Sequence, residues 1–231
     1  PDAARIDVNE LLGSYLRGAK SRGVEVRYDL EIAGIGVHRG ECTGVVTPRG
    51  EIRARRIVDA AGAWAGELGR LAGAAPIEVT PRRRCAIVYQ APEDLDVSCW
   101  PHVGSAHHRV YFEPESGGLL MSPMDEEPMP ACDAQPDELA IAEGLERLRA
   151  LAPDLVPHSI RRSWAGLRTF CSDGAPVVGE DPILRGFFWL AGQGGNGIVT
   201  SGGLGPIAAD LFTKGRTERF DASRLSPARF Q

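Results

Sequence analysis

Seven of the fourteen residues from Gly192 to Gly205 are glycine, and they stand between the apolar run Phe187–Ala191 and a helical pattern near Ser201–Lys214. A strand, a loop without side chains and a helix, in that order, bring bare backbone close to something flat or anionic. The first turn of a helix offers unbonded N–H groups and about half a positive charge. Gly192-Gln193-Gly194-Gly195-Asn196-Gly197 satisfies Gly-x-Gly-x-x-Gly literally. A dinucleotide fold opening on such a loop needs a second strand ending in an acid roughly 20 residues on. Here the helix is followed by Thr217–Gln231, which reads as no strand and leaves no room for the rest of a βαβαβ unit. A tight helix–strand crossing that needs small residues explains the same glycines, and the residues alone leave both readings open.

Upstream, Val8, Leu11, Leu12, Tyr15, Leu16 and Ala19 recur at helical spacing, with Asp7 and Glu10 as a cap-like start and Gly23 as the stop. Strands are expected at Val24–Tyr28, Glu31–Val37, Thr43–Thr47 and Arg53–Ala60, the last broken by Gly62. A helix followed by strands, without a first strand, reads as the tail of a βαβ fold whose opening lies upstream. From Pro76 to about Met129 short apolar stretches (Cys85–Tyr89, Val110–Phe112, Leu119–Met121) alternate with Pro, Gly and His, the texture of an antiparallel sheet. The spacing of Ile141, Leu145, Leu148 and Ala152 predicts a helix over Asp137–Ala152. Residues beyond Gly215 read as a solvated tail.

Composition narrows the function classes. A net charge of -5, with Arg82-Arg83-Arg84 the longest basic run, gives no footprint for nucleic acid or an acidic membrane surface. Five cysteines (Cys42, Cys85, Cys99, Cys132, Cys171), never in CxxC spacing, argue against a disulfide framework or zinc site and fit a reducing, cytoplasmic setting. No apolar run approaches the roughly 20 residues of a spanning helix. The expected partner is a small molecule.

Among chemistry-bearing residues, Arg168 follows Trp164-Ala165-Gly166-Leu167 and precedes the turn Asp173-Gly174-Ala175-Pro176. A guanidinium presented beside a turn suits bidentate carboxylate binding. Arg84 and Tyr111 fall on expected strands of the middle sheet. His107-His108 on a strand would point to opposite faces, so no metal site is expected. No serine or cysteine sits in a nucleophile elbow.

Two stretches carry a family resemblance. Arg55-Arg56-Ile57-Val58-Asp59-Ala60-Ala61-Gly62-Ala63-Trp64 resembles the "VVNAAGAW" segment of the D-amino-acid-oxidase-like FAD family, and Ser163–Arg168, Asp173–Gly179 and Phe187–Ser201 resemble its closing motif. The wording is nearest members such as D-arginine dehydrogenase and glycine oxidase. Asn196 stands where the former carries an aromatic residue.

The resemblance implies a mixed α/β fold: an incomplete FAD-binding α/β domain over residues 1–73 and 164–215, an inserted antiparallel β-sheet substrate domain over 74–163, and a tail over 216–231. It places Ile32 near the adenine and Ala61, Gly62 and Trp64 beside the dinucleotide. Gln193, Gly194, Gly195, Asn196, Gly197, Ile198 and Val199 fall along the flavin ring. Arg168, Arg84 and Tyr111 surround the substrate carboxylate, with the Gly195 backbone near the amine. With Gly166 where covalently flavinylated members have cysteine, FAD is expected to be non-covalent. The implied reaction is oxidative deamination of a D-amino acid, with a hydride passing from Cα to flavin N5 and the imino acid hydrolysing to a keto acid and ammonia. Two alternatives remain: a glycine- or sarcosine-type amine oxidase, and a non-catalytic remnant or half of a split flavoprotein. On every version an N-terminal FAD-binding segment is required besides these residues.

Overall fold

The first helix begins where the sequence places its cap. The Asp7 carboxylate accepts the Glu10 amide at 2.9 Å, and α1 runs Val8–Lys20. The computed structural model describes residues 5–115 and 117–231. Val8, Leu12 and Tyr15 form the apolar stripe of α1, yet no residue of the helix is buried. Val24–Tyr28, expected as a strand, is irregular instead. A strand exists only when its N–H and C=O groups meet a neighbour. Among the described residues no strand pairs with this segment, and Arg27 turns back to Glu25.

The chain divides into two compact units, one of Pro81–Leu167 with Arg5, the other of Ile6–Thr80 with Arg168–Gln231. In the second unit β1 (Gly34–His38), β2 (Glu41–Thr47) and β3 (Gly50–Arg53) form an antiparallel meander. Gly44, at φ +155°, lets β3 cross closely, since a Cβ there would lie 2.2 Å from the Ile52 carbonyl oxygen. The single strand expected at Arg53–Ala60 is two: β3 ends at Arg53, and β4 (Ile57–Asp59) joins a different sheet.

That second sheet has the order β10 (Val177–Glu180), β11 (Phe187–Ala191), β4. The β11 strand is antiparallel to β10 and parallel to β4, with Phe187 opposite Ile57 and Trp189 opposite Asp59. On one face lies α2 (Ala65–Ala72), a helix the sequence reading passed over. Gly69 makes its packing possible, because a Cβ there would fall 2.1 Å from the Trp189 ring. Trp189, Phe187, Ile57, Ala65 and Val177 form the core of this face. Each large apolar side chain buried this way contributes about 1.5–3 kcal/mol. Asp181, buried in the β10–β11 turn, is satisfied by four donors: the Ala75 amide and Trp189 indole on Oδ2, and the Ile183 and Leu184 amides on Oδ1. On the other face α4 (Gly197–Lys214) packs Ala208 against Val178 and Phe188.

The expected solvated tail is a correction. Leu225 and Pro227 are buried, the Val178 amide donates to the Leu225 carbonyl at 2.8 Å, and Arg229 grips Asp173 with Nε at 2.8 Å and Nη2 at 3.2 Å. The segment supplies apolar cover and hydrogen bonds that β10 would otherwise lack.

The first unit is built on a sheet of order β6 (Val103–Ser105), β7 (Val110–Glu115), β8 (Gly118–Ser122), β5 (Val79–Tyr89), β9 (Ile160–Cys171). The expected helix forms as α3 (Glu138–Leu151), with the Asp137 carboxylate capping the Ala140 amide at 2.8 Å. It lays Ile141 and Leu148 on Ile87, Leu119 and Met121. The divisions between units fall at Thr80/Pro81 and Leu167/Arg168, against expected boundaries at 73/74 and 163/164. All five cysteines are free, and among the described residues no helix is long and apolar enough to cross a membrane.

Candidate functional site

Arg168 reaches the glycine loop because β9 runs on to Cys171 and the loop is bonded to its end. The Gly194 amide donates to the Thr169 carbonyl at 2.7 Å. Three glycines then lie on three successive supports. A Cβ at Gly192 would meet Cys171 Sγ at 2.6 Å, one at Gly194 the Phe170 ring at 3.0 Å, and one at Gly195 the Arg168 Nη1 at 2.7 Å. Gly192 and Gly194 also hold φ of +70° and +57°, a region that disfavours side chains. The tight crossing and the bare ribbon are therefore the same object: glycine is needed on the inner side for contact with β9.

The outer side is open. Gly195 and Asn196 are exposed, Val199 is 73% exposed, and Ile198 is exposed beside it. The α4 helix starts at Gly197 without a side-chain cap from Asn196, so its first amides and positive pole face outward. Farther along, Gly202, Gly203 and Gly205 have no neighbour within 4 Å of a Cβ. Arg168 is partly buried, and among the described residues its guanidinium has neither a hydrogen-bond nor an ion-pair partner. A half-buried guanidinium without a carboxylate can receive an anion, since taking that charge from water is costly unless something negative arrives.

The same unit carries the Ala61–Trp64 turn. The Asp59 Oδ1 accepts the Ala61 amide at 3.1 Å, Gly62 takes φ +58°, and Trp64 is 48% exposed. Ile32, just before β1, is exposed as well.

Arg84 and Tyr111 belong to the other unit. Tyr111 lies on the less buried face of β7, opposite Ser122 and Gly104, with its ring 4.9 Å from His102. Strand alternation from the Ile87–Met121 pair puts Arg84 on that same face of the sheet, away from the Ile87 core. Arg84 is already engaged: it is 7% exposed, its Nε donates to the Asp125 carbonyl at 2.8 Å, and its Nη2 bonds Glu126 at 2.5 Å. An open groove of about 1000 Å³ in this unit is lined by Arg82, His107, Asp125 and Arg147 among others, and by neither Arg84 nor Tyr111. His107 and His108 lie in the β6–β7 turn with ring centroids 4.8 Å apart, so the expectation that they face opposite ways does not hold. Among the described residues no three metal-ligating side chains cluster.

Sequence reasoning missed Phe170 and Cys171 as the bed of the loop. The i, i+2 spacing of Arg168 and Phe170 signals Phe170 once β9 is recognised as a strand; Cys171, at i+3, has no such signal.

The family model for FAD dependent oxidoreductases, DAO, matches residues 1–211. The chain belongs to this family. Glycine oxidase of Pseudomonas putida is 31% identical over 194 residues, covering 82% of the chain and 49% of the oxidase. The mitochondrial pyruvate dehydrogenase phosphatase regulatory subunit of Mus musculus is 26% identical, covering 93% of the chain and 26% of its own length. The structure of L-proline dehydrogenase from P. horikoshii superimposes with a TM-score of 0.82 at 25% identity, over 96% of the chain and 59% of that enzyme. The DAO chain described here thus spans between about a quarter and three-fifths of these relatives.

FAD is the cofactor of DAO enzymes, and the residues present fit it. A ribbon whose inner side is filled and whose outer side is bare offers a flat face. Ile198 and Val199 add apolar surface, and the α4 N-terminus adds positive potential. Gly166 has nothing within 4 Å of a Cβ, while the Cys171 thiol is buried against Gly192 and burial pushes it toward the neutral form.

Proposed function

We propose that this DAO chain supplies the flavin-facing ribbon and the carboxylate anchor of an FAD-dependent enzyme that oxidises the Cα–N bond of an amino acid, a D-amino acid on the reading its motifs suggest. The observation that carries the proposal is the unpaired, half-buried Arg168 guanidinium lying against Gly195. Arg168 holds the substrate carboxylate, Tyr111 adds its phenol, and Arg84 acts with its fork braced by Asp125 and Glu126. Gln193, Gly194, Gly195, Asn196, Gly197, Ile198 and Val199 line the ring, Ala61, Gly62 and Trp64 the dinucleotide, and Ile32 the adenine. FAD is held without a covalent bond, consistent with the buried Cys171.

Bound FAD supplies the acceptor for the hydride leaving the substrate Cα. The chain's own part is to bind and orient. Two cations and a phenol on the carboxylate fix Cα in one position, and an effective molarity gained by orientation does most of the work. The released imino acid hydrolyses to a keto acid and ammonia. An N-terminal segment supplies the first strand and its own phosphate loop. The exposed stripe of α1 and the exposed Val58 on β4 support that requirement, since both are apolar surface left uncovered by the described residues.

A second reading, a glycine- or sarcosine-type amine as substrate, is favoured by the glycine oxidase relative. A third, a non-catalytic role, is favoured by the relative named as a regulatory subunit. The test is turnover of a panel of D-amino acids, glycine and sarcosine by the chain produced together with its N-terminal segment and FAD. Arg168→Ala should lower kcat/KM by about tenfold to a hundredfold or more, the worth of one charged hydrogen bond. Turnover unaffected by Arg168→Ala removes the carboxylate anchor, and a flavin-free protein inert to every substrate supports the third reading.

A further inference from the structure

Asp59 ends β4 and is fully buried. Its Oδ1 accepts one amide, that of Ala61, and its Oδ2 has no hydrogen-bond partner among the described residues. Asp181, buried close by in sequence to β11, shows what a buried carboxylate needs: four donors on its two oxygens. Asp59 has one. The elements packed most closely on β4 among the described residues are β11, α2 and β2. The β11 strand carries no ionisable residue. The α2 helix carries Glu67 and Arg70, both exposed, and β2 carries Glu41, exposed and paired with Arg185, and the buried thiol of Cys42. Among the described residues no cation offsets a charge on Asp59, and burial pushes its carboxyl up to about 7 against the pull of the Ala61 amide.

The Ala61 amide is the first group of the turn that leads through Gly62 to the exposed Trp64. We propose that Asp59 is a positioning residue which, as a neutral acid, holds the Ala61–Trp64 turn in place and on losing its proton to solvent releases it. An ionised carboxylate with a single donor is relieved by admitting water or by swinging outward, and either motion breaks the bond to Ala61. The extension to the cofactor, that FAD dissociates faster once the turn is released, rests on the function proposed above. The behaviour of the turn does not.

The test is amide hydrogen exchange at residues 61–65 from pH 5 to 9, corrected for intrinsic exchange, in the wild-type chain, Asp59→Asn and Asp59→Ala. The side-chain carboxyl carbon of Asp59 is followed in parallel by NMR. Between the ordinary aspartate range and about pH 7, where the closed turn keeps the proton and the released turn has lost it, the wild type should lose protection by about tenfold per pH unit, and the profile should level off above about 7. Asp59→Asn, which keeps the acceptor and cannot ionise, should give a flat profile, and Asp59→Ala should be unprotected throughout. Titration of Asp59 together with surface aspartates, or one common pH profile for wild type and Asp59→Asn, overturns the assignment. Repeating the comparison as FAD release from the flavoprotein, read by flavin fluorescence, tests the extension. Failure to bind FAD at all counts against the proposed function, while the exchange profile still decides the role of Asp59.

Discussion

The Arg168 guanidinium occupies the space a side chain at position 195 would fill: a Gly195 Cβ would stand 2.7 Å from Nη1 and 3.2 Å from Cζ. The obstacle is the far end of a flexible side chain rather than backbone, and Gly195 does not have a positive φ. Gly195→Ala should therefore fold with stability within about 0.5 kcal/mol of wild type but displace the guanidinium. In the flavoprotein it should lower kcat/KM about tenfold or more at nearly unchanged Tm. Parallel steady-state kinetics and thermal unfolding check both halves.

Gly69 offers the opposite case. A Cβ there would lie 2.1 Å from the buried Trp189 ring, which cannot move without disturbing the Asp181 bond. Gly69→Ala should cost about 1–3 kcal/mol or more by overpacking. Gly66→Ala in the same helix meets Val79 at 3.6 Å, an ordinary contact, and should be neutral or stabilise by up to about 1 kcal/mol. Denaturant titration of the two variants separates these outcomes.

Asp59 makes stability pH-dependent with a definite sign. Its carboxyl is raised in the fold from 3.8 to about 7, so folded protein keeps a proton that unfolded chain has already released. Stability from this group is fully present below pH 4 and is lost as pH rises to about 7. The loss is on the order of 4 kcal/mol at about 1.4 kcal/mol per unit. Asp59→Asn should flatten that part of the profile, so the stability difference between variant and wild type grows between pH 4 and 7.

Deleting residues 216–231 should destabilise the unit rather than trim it. The deletion removes the buried Leu225, the carbonyl that bonds the Val178 amide, and the two-pronged contact of Arg229 with Asp173. The apolar burial of Leu225 alone is worth about 1.5–3 kcal/mol. A truncated chain with unchanged Tm would contradict this account.

Much of the architecture was legible because it is written in local chemistry. Asp7 and Asp137 announce helix starts with side-chain caps, and Ile141 and Leu148 repeat at helical spacing. Other parts depend on partners distant in sequence. The β9 strand begins Ile160-Arg161-Arg162-Ser163, mostly exposed and without apolar alternation, and is a strand because the sheet places it beside β5. Val24–Tyr28 has the alternation and lacks the neighbour. At the site, the glycine loop pointed to a bare ribbon, but what it rests on, Arg168, Phe170 and Cys171, came from the strand that was overlooked. The engagement of Arg84 by Asp125 and Glu126 had no local signal, since those acids lie more than forty residues away.

The parallel pairing of Ile57 with Phe187 joins positions separated by more than half the chain. Closing so long a loop is entropically costly before any contact rewards it, so this ladder should form late and slowly. During synthesis β4 leaves the ribosome long before β11 exists, and Ile57 must wait for its Phe187 partner. The whole of Pro81–Leu167 is made in that interval, which gives it time to fold first and makes the nascent β4 the segment in greatest need of a chaperone.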